Sequence, residues 1–204
     1  MLYYIVPRPF KNPALLCGSL VFYAWGEPEN ILLLLFFIGF YYCLGLLAEG
    51  SRKNKRAIGR IMAFTAVLSL GVFVFFKWKA LPFGMSFYVL RAWSYMADVC
   101  RGKAKAQKNP VDLALYIAMF PQMAAGPIVL YGEVQGQIAE RKESWGRFGE
   151  GAMFFLKGLA EYVLLSAGAS YTFEAVTALK PSQVSALSAW LGCFAYAFYI
   201  YFAF

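Results

Sequence analysis

The chain has 204 residues, 61% hydrophobic and 15% charged, where ordinary soluble domains run at about 45 to 50% and about 25%. Thirty charged residues (19 Lys and Arg, 11 Asp and Glu) cannot coat a water-soluble core of this size, clustered as they are, and so apolar a composition also excludes disorder. The formal net charge is +8, with five cations within 52–60 and four within 101–108, each run lying between long apolar segments. That is the pattern of cytoplasmic loops in a multi-span membrane protein, so the basicity reads as topology and no nucleic-acid partner is expected.

In chain order, residues 1–6 are apolar, stop at Pro7-Arg8-Pro9, and read as the end of a longer segment; no signal-peptide pattern is present. Residues 13–25 and 31–47 form a helical hairpin about the turn Gly26-Glu27-Pro28-Glu29. A basic loop, 49–60, precedes a third apolar helix at 61–76 that ends on Lys77 and Lys79, placed to snorkel to headgroups. The fourth segment, 83–100, carries Arg91 and Asp98 at hydrocarbon depth, where charges are costly. Spacings of four and three put Arg91, Tyr95 and Asp98 on one helical face, which must turn toward protein or a wet cavity, as an interhelical polar clamp or as part of a site.

A second basic loop, 101–109, leads through Pro110 into 111–131, where Pro121, Gly126 and Pro127 interrupt the apolar run. Lipid tolerates a broken helix only where protein or a water-filled cavity surrounds it, so 120–127 is the strongest pointer to a substrate pathway, with a packed proline kink as the structural alternative. The mixed stretch 133–150 suits an interfacial or cytoplasmic amphipathic helix better than a span. Residues 151–171 form another apolar helix, in which Lys157 and Glu161 are spaced to pair. After the polar turn at Lys180-Pro181-Ser182, residues 186–204 are apolar without interruption, about the minimum for one span.

Chemistry is constrained by what is missing. The sequence contains no His, so no Ser-His-Asp, Cys-His or histidine-zinc site can be built from it alone. Cys17, Cys43, Cys100 and Cys193 are far apart, show no CxxC pair and read as small hydrophobes, so neither a metal site nor a disulfide framework is expected. Isolated glycines, among them Gly39, Gly45, Gly71, Gly126, Gly158 and Gly192, suit close approach of neighbouring helices. These residues describe an all-α, polytopic transmembrane protein with broken or re-entrant helices, and they do not reach a reaction.

Several strings resemble the membrane-bound O-acyltransferase superfamily, most of all its alginate O-acetyltransferase-like branch, with the D-alanyl transfer protein of teichoic acids more distant. Phe22-Tyr23-Ala24-Trp25 is similar to the family's early FYAW hairpin, and residues Leu81-Pro82-Phe83-Gly84-Met85-Ser86-Phe87 to its LPxGxSF string. Ser94-Tyr95, Asp98 and Arg101-Gly102 follow its SY, D and RG positions. The most specific match joins Phe120-Pro121-Gln122 with Ala125-Gly126-Pro127-Ile128, similar to FPxxxAGPI, and Tyr201-Phe202 with Phe204 resembles the start of YFDFSGYSDMA. Departures are Arg91, Leu130, Glu161-Tyr162 and Ala203.

The resemblance implies an incomplete fold of this type, with residues 1–204 the N-terminal part of a single domain truncated at both ends. It implies transfer of an acetyl or other acyl group from acetyl-CoA or another acyl thioester to hydroxyls of an exported cell-envelope polysaccharide such as alginate. A bacterial inner-membrane location and a separate extracytoplasmic acetyltransferase partner go with it. The family's catalytic His lies downstream of Phe204, so no catalytic residue carries over, and the 204 residues alone are expected to be inactive. Tyr95, Asp98, Arg101, Pro121, Gln122, Gly126 and Pro127 become the expected substrate-pathway residues. The competing expectations are a transporter or flippase-like pathway and a degenerate, non-catalytic relative.

Overall fold

The computed structural model describes residues 6–79, 82–123, 126, 129–141 and 144–204; of the residues singled out above, 1–5, Leu81, Ala125, Pro127 and Ile128 lie outside them. The described residues are 83% helical, with no strand among them. Its contacts group into two units, 1–141 and 142–204, each described here by itself.

The first unit holds α1 (Lys11–Gly26), α2 (Ile31–Gly50), α3 (Lys55–Lys79), α4 (Met85–Cys100), α5 (Pro110–Ala118) and α6 (Tyr131–Ala139). Gly84, at φ 70°, turns the chain into α4, a left-handed conformation open to glycine at little cost. Helix α4 is the axis of the unit. Eleven of its 16 residues are buried, and α2, α3, α5 and α6 all pack on it. Its polar face therefore turns inward, as the spacing of Arg91, Tyr95 and Asp98 requires.

Helices α1 and α2 follow one another across the turn Pro28–Asn30, where the Asn30 side chain donates to Glu27 Oε2 at 2.6 Å. Their arms do not close on each other as the hairpin reading expects: α1 packs chiefly on α5, and α2 chiefly on α4. The basic loop is also shorter than 49–60. Asn54 accepts from the backbone N–H groups of Arg56 (3.1 Å) and Ala57 (3.2 Å), capping α3, so Lys55, Arg56 and Arg60 belong to the helix. Buried hydroxyls join α2 to α3, where Tyr41 and Ser69 share a hydrogen bond and Ser69 Oγ donates to Thr65 O at 2.6 Å.

The second unit is a helical hairpin. Ser144 caps α7 (Trp145–Ala160) by accepting from Arg147 N–H at 3.2 Å, so the amphipathic stretch 133–150 is not one helix but the body of α6 and the start of α7. A π-helical turn, Glu161–Ser166, carries α7 without a break into α8 (Ala167–Thr177). After the turn at Pro181–Gln183, α9 (Ala186–Ala203) returns along α8 and the π turn. Gly192 lets α9 approach Val176, where an added Cβ would lie 2.9 Å from Cγ1, and Ser166 Oγ donates to Tyr199 O at 3.2 Å. Lys157 and Glu161 form the expected i,i+4 pair, at 4.0 Å.

Among the described residues four helical stretches are long and apolar enough to cross a membrane: Pro28–Gly50, Lys55–Trp78, Trp145–Thr177 and Ala186–Ala203. Large side chains such as Phe36, Leu70, Phe154 and Leu187 stand exposed along them, the surface a span presents to lipid. At about 1.5 Å per residue, α1, α4 and α5 fall short of the roughly 30 Å of a hydrocarbon core. They reach only part of the way across, and α4 and α5 are covered by protein.

Gly45 is the tightest approach of α2 to α4. An added Cβ would overlap the Tyr95 phenol, whose ring stands edge-on to Tyr131 with centroids 4.8 Å apart. Gly45→Ala should therefore destabilise the chain by about 1–3 kcal/mol. Gly39→Ala, with nothing within 4 Å of the new methyl, should be neutral or slightly stabilising; thermal unfolding in detergent micelles compares the two. The loop after α2 and the loop after α4 touch through Glu49 and Arg52. Single cysteines replacing Lys55 and Lys105 should accordingly label from the same side of the membrane.

Candidate functional site

The interrupted segment after α5 defines the site. Asn109 Oδ1 accepts from Val111 N–H at 3.0 Å and Pro110 occupies the first helical position, so α5 starts cleanly. It ends after nine residues because Met119 swings to φ −60°, ψ 116°, the extended region, followed by a 3-10 turn over Phe120–Gln122. Six of the nine α5 residues are buried, so the carbonyls freed at its C-terminal end cannot turn to water and must be satisfied within the protein.

Arg91 does this. Its side chain is fully buried; Nη1 donates to the carbonyl oxygens of Tyr116 (3.2 Å) and Ile117 (3.3 Å), and Nη2 donates to Gln122 Oε1. Among the described residues no carboxylate pairs with it. Its charge is balanced by the carbonyl dipoles at the negative end of α5. The N–H of Phe120 donates to Ser19 Oγ at 3.3 Å, and Ser19 Oγ–H donates to Leu15 O at 2.8 Å. Gln122 and Met123 N–H groups close local bonds to Met119 O (3.1 Å) and Phe120 O (3.2 Å). Gly126 lies directly against Gln122, where any Cβ would overlap the Gln122 backbone.

A second cluster sits further along α4. Asp98 Oδ2 accepts from Gly132 N–H at 3.0 Å; Gly132 is the second residue of α6 and its own flank supplies no side-chain cap, so Asp98 caps that helix from another element. Tyr95 OH accepts from Gln107 N–H at 3.2 Å. The Tyr131 ring meets Tyr95 and Tyr116 edge-on, at 4.8 and 5.1 Å between centroids, and Tyr116 OH donates to Val129 O at 2.8 Å. Three tyrosines thus connect the Arg91 and Asp98 ends of α4. Tyr131 lies outside the four spanning stretches; burial first, and then the neighbouring Tyr95, hold its phenol above the ordinary range.

Of the expected pathway residues, Tyr95 and Asp98 are buried together beside α6, while Gln122 and Gly126 meet at the break and are half-buried. Pro121 is exposed at the rim, and Arg101 lies on the exposed surface where α4 ends, apart from the buried cluster. Pro127 is outside the described residues. By spacing Arg91 belongs to a polar face, and it departs from the family pattern; in the structure it is the group that holds the break. Its signal was a cation at span depth, obliged to find acceptors. Ser19 carried none, since a lone serine in an apolar helix reads as packing.

Arg91 bonds two backbone carbonyls and the Gln122 side chain, and Asp98 bonds a backbone N–H. What the arrangement offers is an irregular stretch of backbone held by buried side chains.

No protein-family model matches the chain, and no solved structure matches it. The chain is 30% identical, over its whole length, to the probable alginate O-acetylase AlgI of Azotobacter vinelandii and to that of Pseudomonas aeruginosa, covering 45% and 43% of those proteins. It is also 26% identical to the peptidoglycan O-acetyltransferase of Helicobacter pylori, over 99% of the chain and 48% of that protein. The resemblance to the alginate O-acetyltransferase-like branch of the membrane-bound O-acyltransferases thus holds from end to end, and the chain spans a little under half the length of the relatives it matches.

Arg91→Lys replaces a fork that reaches three acceptors by a single point charge. It should destabilise the chain nearly as much as Arg91→Met, on the order of 3 kcal/mol, read from denaturation in detergent. Asp98→Ala should cost about 1 kcal/mol and speed amide exchange at 132–134. Asp98→Asn, which keeps an acceptor oxygen, should retain most of that protection.

Proposed function

We propose that these residues form the N-terminal part of a membrane O-acetyltransferase that acts on hydroxyls of an exported cell-envelope polysaccharide. The observation that carries the reading is the end-to-end similarity to alginate O-acetylases and a peptidoglycan O-acetyltransferase, together with a broken helix at the most family-like string. Alginate is the acceptor we favour, and acetyl-CoA or another acyl thioester the donor. The location is a bacterial inner membrane with the basic loops on the cytoplasmic side, and an extracytoplasmic acetyltransferase receives or completes the transfer. A transporter or flippase reading has no relative to support it.

In this reading Arg91 fixes the 116–123 backbone so that donor and acceptor approach along a constant path. Gln122 and Gly126 border that path, Tyr95 and Asp98 set its inner wall through α6, and Arg101 lies at the basic mouth. Positioning of two reactants and exclusion of water are what such a wall contributes. The proton must leave the acceptor hydroxyl to a base of suitable pKa. The 204 residues contain no His, the side chain that most often serves as that base; in this reading a group elsewhere in the working protein supplies it, and the 204 residues by themselves should give no turnover.

The test is acetyl transfer in membranes expressing the complete reading frame that contains this chain, with labelled acetyl-CoA and alginate or peptidoglycan as acceptor. Labelled, base-labile ester on the polysaccharide is expected. Gln122→Ala should lower transfer without lowering the amount of folded protein. Absence of ester, with solute or lipid translocation by the same membranes, would transfer the assignment to a transporter.

A further inference from the structure

The 101–109 loop has no regular secondary structure, yet five side chains from other elements hold its backbone. Arg52 Nη2 donates to Gly102 O at 3.0 Å, Gln135 Nε2 to Lys105 O at 3.3 Å, and Tyr42 OH to Lys108 O at 2.8 Å. Glu49 Oε2 accepts from Ala106 N–H at 2.9 Å, and Tyr95 OH from Gln107 N–H. Gly102, at φ 75°, has no Cβ to obstruct Arg52; one would sit 2.9 Å from Nη2.

The side chains of this loop alternate. Ala104 and Ala106 are buried, while Lys103 and Lys105 between and before them are exposed, as are Arg101 and Lys108. Among the described residues none of these four cations forms an ion pair. Exposed Lys53 and Arg56 lie on the facing loop and helix end that Arg52 and Glu49 tie to this one. A flexible loop would suffice to keep positive charge on one side of a membrane. Here five side chains hold the backbone and the four cations of the 101–109 loop are left available, which is the arrangement of a preorganised anion-binding surface.

We propose that this tied pair of loops is a docking surface for the phosphodiester headgroups of anionic phospholipids. The occupant follows from its level in the molecule: residues 51–54 join two helices long and apolar enough to span, so the cations lie where those spans leave the hydrocarbon. At that level lipid phosphates are the nearest and most concentrated anions, and clusters of Lys and Arg there attract acidic lipids. The proposal needs neither the acyl-transfer reading nor a particular side of the membrane.

The test uses the full chain reconstituted in equimolar phosphatidylcholine and phosphatidylglycerol, with spin-labelled lipid reporting which headgroup is held at the protein boundary. Phosphatidylglycerol should be preferred severalfold, the preference should weaken with salt, and Lys103→Gln/Lys105→Gln/Lys108→Gln should abolish most of it with helical content unchanged. Equal association of the two lipids, or a preference untouched by the triple substitution, would overturn the proposal. So would tight binding of inorganic pyrophosphate in pure phosphatidylcholine without any lipid preference, which would make the surface a site for a soluble phosphate. Glu49→Ala separates a held loop from mere charge. Counting charges predicts a stronger preference once the acid is gone; a surface that depends on the Ala106 anchor predicts a weaker one, and a stronger preference refutes it.

Discussion

Backbone amide and carbonyl groups at membrane depth have no water to fall back on, and in this protein that constraint converges on Arg91. One guanidinium satisfies two carbonyls at the end of α5 and the side chain of Gln122 beyond it, while Ser19 takes the amide of Phe120. Without those partners the chain could not stop a helix at Met119 inside a protein-lined layer. The same requirement explains why α4 is central. It must carry a cation to the break, a carboxylate to the start of α6 and a tyrosine to the second basic loop, so its surroundings must close on nearly every side.

Much of this was legible in the residues. Apolar runs, turn dipeptides and clustered cations gave the helices, their order and the connecting loops, because burial of backbone polarity in lipid leaves so few alternatives. The proline-interrupted segment and the inward face bearing Arg91, Tyr95 and Asp98 followed from spacing alone. Pairing was harder to read. Arg91 and Asp98, seven residues apart on one face, do not serve each other, because backbone acceptors and donors from α5 and α6 reach them first. Nor could spacing show that α1 turns away from α2, since the choice of partner depends on which surfaces meet in space. Small residues proved equally context-bound: Gly45, Gly126 and Gly192 stand at close contacts, whereas Gly39, Gly71 and Gly158 face open space.

The two units solve the membrane problem differently. Residues 6–141 surround short, interrupted helices with protein and spend buried hydrogen bonds to do so. In the hairpin of 144–204, long helices present large side chains outward and few residues are buried, as lipid permits when every backbone group is satisfied within its own helix. Apart from Ser166, which reaches Tyr199 across the hairpin, its polar side chains bond locally, as when Ser170 donates to Glu174 at 3.1 Å and Thr172 to Gly168 O at 3.2 Å.

The π turn at Glu161–Ser166 has a geometric corollary. A π turn accommodates one residue more than an α turn, and each residue in an α-helix advances the azimuth by about 100°. Helix α8 therefore presents to α9 a stripe that an unbroken α-helix would have aimed elsewhere, and Ser166, the last residue of the turn, bonds Tyr199 at that junction. Losing a single residue in the bulge would leave both rods straight and apolar, yet swing Val176 out from under Gly192: the membrane would accept such a helix, and the hairpin would not.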